Sequence, residues 1–238
     1  MNAKEKKKEQ KPRSEDSDAG TADLIRELGL AAPGTDFESD LQYISIIGSI
    51  EGHIALPMEN KTTKYEHLIP QLIAVEENPK LRGLLVILNT MGGDVEAGLA
   101  LAEMIATLSK PTVSLVLGGG HSIGIPLATA TDYSFIAGTA TMTLHPIRTT
   151  GLVITAETTF DYMRKTQDRV IDFIAGHSRA TRKRVTELMN CSDNMSNDVG
   201  TILFGKEAVD AGIIDAVGGV SQALGELRRR VAKVDELE

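Results

Sequence analysis

Gly118-Gly119-Gly120-His121-Ser122-Ile123-Gly124 follows the apolar, β-branched run Thr112-Val113-Ser114-Leu115-Val116-Leu117 and precedes small, helix-tolerant residues such as Ala128 and Ala130. A strand that ends in a glycine-rich turn and feeds a helix is half of a strand–helix–strand unit. A serine on such a turn has its hydroxyl lifted off the sheet edge. The next amide, that of Ile123, then stands at a helix N-terminus, where negative charge is stabilised. Gly120-His121-Ser122-Ile123-Gly124 meets the G-x-S-x-G spacing of a nucleophile elbow. Glycines after buried strands usually serve backbone packing, so the serine needs partners elsewhere in the chain.

Working outward, the same alternation continues on both sides. Upstream, Tyr43-Ile44-Ser45-Ile46-Ile47 reads as a strand closed by Gly48. Tyr65 to Glu76 carries Leu68, Ile69, Leu72 and Ile73 at helical spacing and is ended by Asn78-Pro79. The continuous apolar run Leu84–Leu88 suits a strand covered on both faces. Asn89-Thr90-Met91-Gly92-Gly93 then leads into a helix from about Val95 to Ser109, stopped by Pro111.

Downstream, strands are expected at Tyr133–Ile136 and Thr141–Leu144, and Thr149 to Thr155 is β-branched with a turn or bulge at Gly151. A long helix runs from about Glu157 to Ala175 and another from Ala180 to Met189. Ile202–Phe204 is a short strand, Lys206 to Ala211 a short helix, and Ile213, Ile214 and Val217 are expected to finish the sheet. A last helix spans Ser221 to about Val234. The alternation predicts an α/β fold with right-handed crossovers and a mostly parallel sheet.

Composition sets the remaining bounds. A chain of 238 residues, 42% hydrophobic and 24% charged, can bury one good core. Residues 1–20 are charged and nearly free of large apolar side chains, which predicts a disordered tail, with Lys6-Lys7-Lys8 solvated. Residues 21–40 form an arm or linker in which Leu24, Ile25 and Leu28 share a helical face, with a break at Pro33-Gly34. The folded domain is expected over 41–220 and the C-terminal helix and tail over 221–238. A net charge of −8 repels phosphates and argues against a nucleic-acid partner. One cysteine, Cys191, permits no intrachain disulfide, and no apolar run reaches membrane-spanning length. A cytoplasmic protein without membrane insertion is the expectation.

A serine nucleophile needs a base and an oxyanion hole. Gly92-Gly93 and Ile123 offer backbone amides at the ends of two parallel strands, where open α/β sheets place their sites. Of His53, His67, His121, His145 and His177, His145 stands out. It ends the apolar strand Met142-Thr143-Leu144 and is pinned by Pro146, at the rim of the sheet. His121 adjoins the serine, and neighbouring side chains on a sharp turn diverge, so it packs or hydrogen-bonds locally. No histidine pair has zinc-ligand spacing, and no phosphate-binding loop is present, so neither a metal nor a cofactor is expected.

Asn89-Thr90-Met91-Gly92-Gly93, the loop holding Ser122-Ile123-Gly124, Leu144-His145-Pro146, and Glu207-Ala208-Val209 with Gly212-Ile213-Ile214-Asp215 occur in the order and spacing of the Clp protease proteolytic subunit (ClpP) family. The resemblance covers about Tyr43 to Val217. His145-Pro146-Ile147-Arg148 and Asp198-Val199-Gly200-Thr201 resemble a branch linked with protein export.

The resemblance implies a ClpP/crotonase-like fold with repeated ββα-type units and a protruding handle helix, the handle spanning about 149–180. It implies Ser122 as nucleophile, His145 as base and Gly93 and Ile123 as oxyanion donors. Substrate peptide would lie as an added strand against Gly92, Asp94 and Val95 on one side and Arg148, Thr149 and Thr150 on the other. It also implies stacked homo-oligomeric rings enclosing the serines, with peptides or unfolded polypeptide as substrate. An unfoldase or export machinery is a possible partner by the same token, and any use of ATP would come from that partner.

The sequence departs from the family's pattern at three places. His121 precedes the serine where the family has a small residue, and Ile123 replaces a methionine. Aligned without gaps on Glu207-Ala208-Val209, Gly200 falls where the family has its aspartate. Asp198 is the acid carried forward, with Asp193 the poorer choice. Two alternatives stand beside a serine endopeptidase: a weakly active ring that scaffolds translocation, and a crotonase-like acyl-CoA enzyme.

Overall fold

The computed structural model describes residues 39–148, 155–192 and 199–236. The charged tail, the arm up to residue 38, the stretch 149–154 with its expected turn at Gly151, and Asp198 lie outside them. Within them the chain forms β1 (Leu41–Glu51), β2 (Thr62–Lys64), α1 (Tyr65–Glu77), β3 (Gly83–Gly93), α2 (Val95–Ala106), β4 (Thr112–Gly120) and α3 (Gly124–Thr129). Then follow β5 (Tyr133–Ile136), β6 (Thr141–Leu144), α4 (Ala156–Gly176), α5 (Arg182–Met189), β7 (Thr201–Phe204), α6 (Gly205–Asp210), β8 (Ala216–Val217) and α7 (Val220–Asp235). The main sheet has the order β2-β1-β3-β4-β5-β8, every pair parallel.

Successive residues of the central strands face opposite layers, as a period of two requires. Leu84, Val86 and Leu88 of β3 join Leu68, Leu72, Leu101 and Ile105 of α1 and α2 in the larger core, together with Leu127 of α3. Leu85 turns the other way and meets Val113, Leu115 and Phe135 under Ala223, Leu227 and Val231 of α7. That two-sided burial is why the run Leu84–Leu88 shows no alternation in its sequence.

The sequence reading did not expect β2, and among the boundaries that moved three stand out. β1 does not stop at Gly48. That residue adopts φ +79 and absorbs a register shift, and the strand continues to Glu51; a Cβ here would stand 2.1 Å from the Lys61 carbonyl oxygen. Pairing also carries β3 through Asn89-Thr90-Met91-Gly92-Gly93, so the first glycine-rich loop is the end of a strand. Ile213 and Ile214 are buried core residues in the turn after α6, and only Ala216 and Val217 pair with β5 to finish the sheet.

A second, small pairing sets up the site. β6 touches β4 at Gly119 and Thr141 and runs antiparallel to β7, with Leu144 opposite Thr201. His145 therefore leaves β6 beside the end of β4, and Gly200, just ahead of β7, arrives next to it.

Candidate active site

Ser122 is the one non-glycine residue with positive φ among the described residues, at +55. Left-handed backbone costs an L-residue roughly 1–2 kcal/mol, and the neighbouring hydrogen bonds hold it there. His121 N–H donates to the Thr90 carbonyl (3.1 Å) and Ser122 N–H to the Thr143 carbonyl (2.9 Å). Gly124 and Ile125 amides close back on His121 and Ser122. The amide of Ile123, between these engaged groups, makes no hydrogen bond among the described residues. It is free for a ligand at the mouth of α3.

Close approach explains the glycines around it. A Cβ on Gly92 would stand 2.7 Å from the Ser122 Cβ and 3.3 Å from its Oγ. Gly92 N–H donates to Thr90 Oγ1 (3.0 Å), whose hydroxyl donates to the Gly48 carbonyl (2.6 Å), so the strand end is tied to β1. Asp94 N–H goes to the Ile50 carbonyl (2.9 Å), and its carboxylate caps α2 by accepting from Ala97 N–H (2.8 Å). Asp94 thus ties the end of β3 to the start of α2 through its cap, while Gly93 and Val95 line the cavity. The Ile123 side chain is buried against Gly98 of α2, where a Cβ would stand 2.4 Å from its Cγ1.

Ser122, His145, Gly93, Ile123, Val95 and Arg148 line one cavity of about 130 Å³. Its apolar wall comes from Ile147, Val170 and Ile174 of α4, and Met189 of α5. The serine and histidine are far apart in sequence and line the same cavity because β6 lies beside β4. Ser122 Oγ makes no hydrogen bond among the described residues, a looseness common in enzymes without substrate. A wider groove of about 790 Å³ between α5, β7 and α6 contains neither Ser122 nor His145. The smaller cavity is the one that Ser122, His145 and Ile123 share, and it is the candidate site.

His145 is half-buried, and its Nδ1 lies 2.7 Å from the carbonyl oxygen of Pro146. A carbonyl only accepts, so Nδ1 carries the proton and Nε2 presents a lone pair. His121 turns away, with its Nδ1 2.9 Å from Thr143 Oγ1. Burial first, and then neighbouring His145, hold its pKa below the ordinary 6.5. Gly119 makes room for that ring: a Cβ there would stand 2.5 Å from His121 Nε2. His177 stacks on Phe173 at 4.1 Å, and His53 meets Tyr65 edge-on. Among the described residues no three His, Cys, Asp or Glu side chains cluster to hold a metal ion.

Asp198, Thr149 and Thr150 lie outside the described residues. Gly200 N–H donates to the Cys191 carbonyl (2.7 Å); Asp193 too lies outside the described residues. Gly200 has φ +139, and a Cβ on it would stand 2.3 Å from the Leu144 carbonyl oxygen and 3.0 Å from the His145 Cβ. A side chain at that position would force the Leu144 and His145 backbone to shift. The sequence reading did not single out Thr90, Thr143, Val170, Ile174 or Met189 as site residues. Val170 and Ile174 carried a signal, being one helical turn apart on α4, but it reads equally as core packing.

Residues 39–221 match the Clp protease family model. The chain belongs to the Clp protease family. It is also 53% identical over 222 residues, 93% of this chain and 87% of the relative, to the translocation-enhancing protein TepA of Halalkalibacterium halodurans. The Clp protease match ends near the start of α7, so nearly all of the helix that closes the second core lies beyond the matched span. Every cavity residue named above lies inside it.

Proposed function

We propose that this Clp protease family member is a serine endopeptidase acting on peptides or unfolded polypeptide. The observation that carries the proposal is the shared cavity: Ser122 with its strained backbone, His145 with Nδ1 engaged by the Pro146 carbonyl, and Ile123 all line it. Ser122 Oγ attacks the scissile carbonyl as His145 Nε2 takes its proton. The oxyanion that forms is met by the amides of Ile123 and Gly93, each worth roughly 10²–10³ in kcat. The His145 imidazolium then gives its proton to the leaving amine, and water, activated by the same imidazole, releases the acyl group.

Substrate is held as an added strand between the Gly92–Val95 segment and the chain from Arg148 through Thr150. The apolar wall of Val170, Ile174 and Met189 fits one medium-sized side chain next to the scissile bond. Clp proteases typically form oligomeric rings, and a homo-oligomeric chamber would restrict substrates by size. The name of the relative supports a role alongside protein translocation, with the export machinery as partner.

The test is hydrolysis of fluorogenic peptides with a leucine or methionine before the scissile bond, by sized oligomer and by its Ser122→Ala variant. Turnover lost in the variant supports the proposal. A second reading, a ring that assists translocation without proteolysis, is favoured by Gly200, which carries no carboxylate and where an added Cβ would crowd the Leu144 carbonyl. Equal, background-level cleavage by both proteins would select it. No observation in the structure favours an acyl-CoA enzyme.

A further inference from the structure

The base His145 is held by one peptide plane, and that plane is gripped from both sides. Pro146 C=O accepts the His145 Nδ1 proton at 2.7 Å, and the N–H of the same peptide unit, that of Ile147, donates to Gln167 Oε1 at 3.2 Å. Gln167 stands on α4, half-buried, one turn before the cavity-lining Val170. A trans peptide carries its C=O and N–H on opposite edges. Fixing the N–H therefore fixes where the C=O points, and Pro146 removes freedom at φ.

Resting on the peptidase reading above, we propose that Gln167 is a positioning residue for His145, acting through the Pro146–Ile147 peptide in the role another protease gives to a carboxylate. Such a device stands in for the family's carboxylate at Gly200, where a Cβ would come within 3.0 Å of the His145 Cβ. A carbonyl secures the productive tautomer, Nδ1 protonated and Nε2 free. It supplies a neutral acceptor rather than a countercharge for the imidazolium, so the hydrogen bond is weaker than a charge-assisted one. The arrangement also makes the competence of the base depend on the seating of α4. Withdrawal of Gln167 by a shift of that helix releases the peptide plane and lets the imidazole turn.

The test compares Gln167→Ala and Gln167→Glu with the wild type in the full-length oligomer, by peptide kinetics and by NMR of ¹⁵N-histidine-labelled protein. Gln167→Ala is expected to lower kcat by roughly 10- to 100-fold, the scale of a misplacement near 1 Å, with KM within twofold. Its His145 Nδ1–H resonance is expected to broaden or disappear. Gln167→Glu keeps an oxygen acceptor for the Ile147 amide and is expected to restore both readouts. A Gln167→Ala protein with wild-type kcat and an unchanged Nδ1–H signal overturns the proposal. So does an Asp198→Asn variant that alone abolishes the Nδ1–H signal, since the partner would then be that carboxylate. The NMR readout does not require turnover, so an inactive wild type that still shows the Gln167-dependent signal would sink the peptidase reading and leave the positioning contact standing.

Discussion

Restoring an aspartate at position 200, where the resemblance to ClpP places the triad acid, is expected to damage this protein rather than improve it. The backbone there has φ +139, and a Cβ would stand 2.3 Å from the Leu144 carbonyl oxygen. Strained backbone of this kind costs roughly 1–3 kcal/mol for a residue with a side chain. Bringing the contact out to 3.0 Å, the shortest that real Cβ atoms show, also requires a displacement of about 0.7 Å. That displacement falls on Leu144 and on His145, the proposed base. For a protein of this size each kcal/mol lowers Tm by roughly 2–4 °C, so Gly200→Asp is expected to lose about 2–12 °C. A shift of this scale at a catalytic group costs up to roughly 10² in rate. The assays are differential scanning fluorimetry and peptide turnover, with Gly200→Ala as the control that adds a Cβ and no charge. Both variants should lose stability to a similar degree. A Gly200→Asp protein with wild-type Tm and raised turnover would refute the steric reasoning.

The contact between Gly119 and His121 gives a paired prediction. Gly119→Ala places a methyl group 2.5 Å from His121 Nε2 and should destabilise the protein measurably, while the Gly119→Ala/His121→Ala double variant should recover much of the loss in thermal melts. The pH dependence of stability should also report His121. Its folded pKa lies below 6.5, so the unfolded chain binds the proton more readily; stability is fully present above pH 6.5 and falls as pH drops toward the lowered folded value. His121→Gln should flatten that acid-side fall, as read by Tm between pH 7.5 and pH 5. Val170→Phe should fill the cavity wall and shift cleavage from leucine to alanine before the scissile bond, with turnover of the leucine peptide reduced at least tenfold; equal selectivity would place the side-chain pocket elsewhere.

Much of the framework was legible because local and global signals agreed. The apolar runs at Leu84–Leu88 and Thr112–Leu117 each end in glycines, and the observed strands carry those glycines to the edge of the site. The boundaries of β5 and β6 follow their sequence pattern residue for residue. What the pattern hides is pairing. Gly48 looks like a stop, yet neighbouring strands recruit the residues beyond it once the glycine has absorbed the register shift. Ile213 and Ile214 look like a strand because they are apolar and β-branched, but their burial comes from a turn after α6. In the candidate site, residue type and position at strand ends single out Ser122 and His145, and both line the same cavity. The acceptor for His145 is not, because a backbone carbonyl has no residue identity to read, and Gln167 enters only when α4 packs beside Ile147.

The most direct test of the peptidase claim is covalent: intact-mass analysis of sized oligomer after exposure to a fluorophosphonate. One adduct per chain, mapped to Ser122, absent in Ser122→Ala and slowed at least a hundredfold in His145→Ala, is the expected result. Wild-type protein that stays unlabelled, or labelling of Ser122 at the same rate without His145, would contradict the claim that these two side chains work as nucleophile and base.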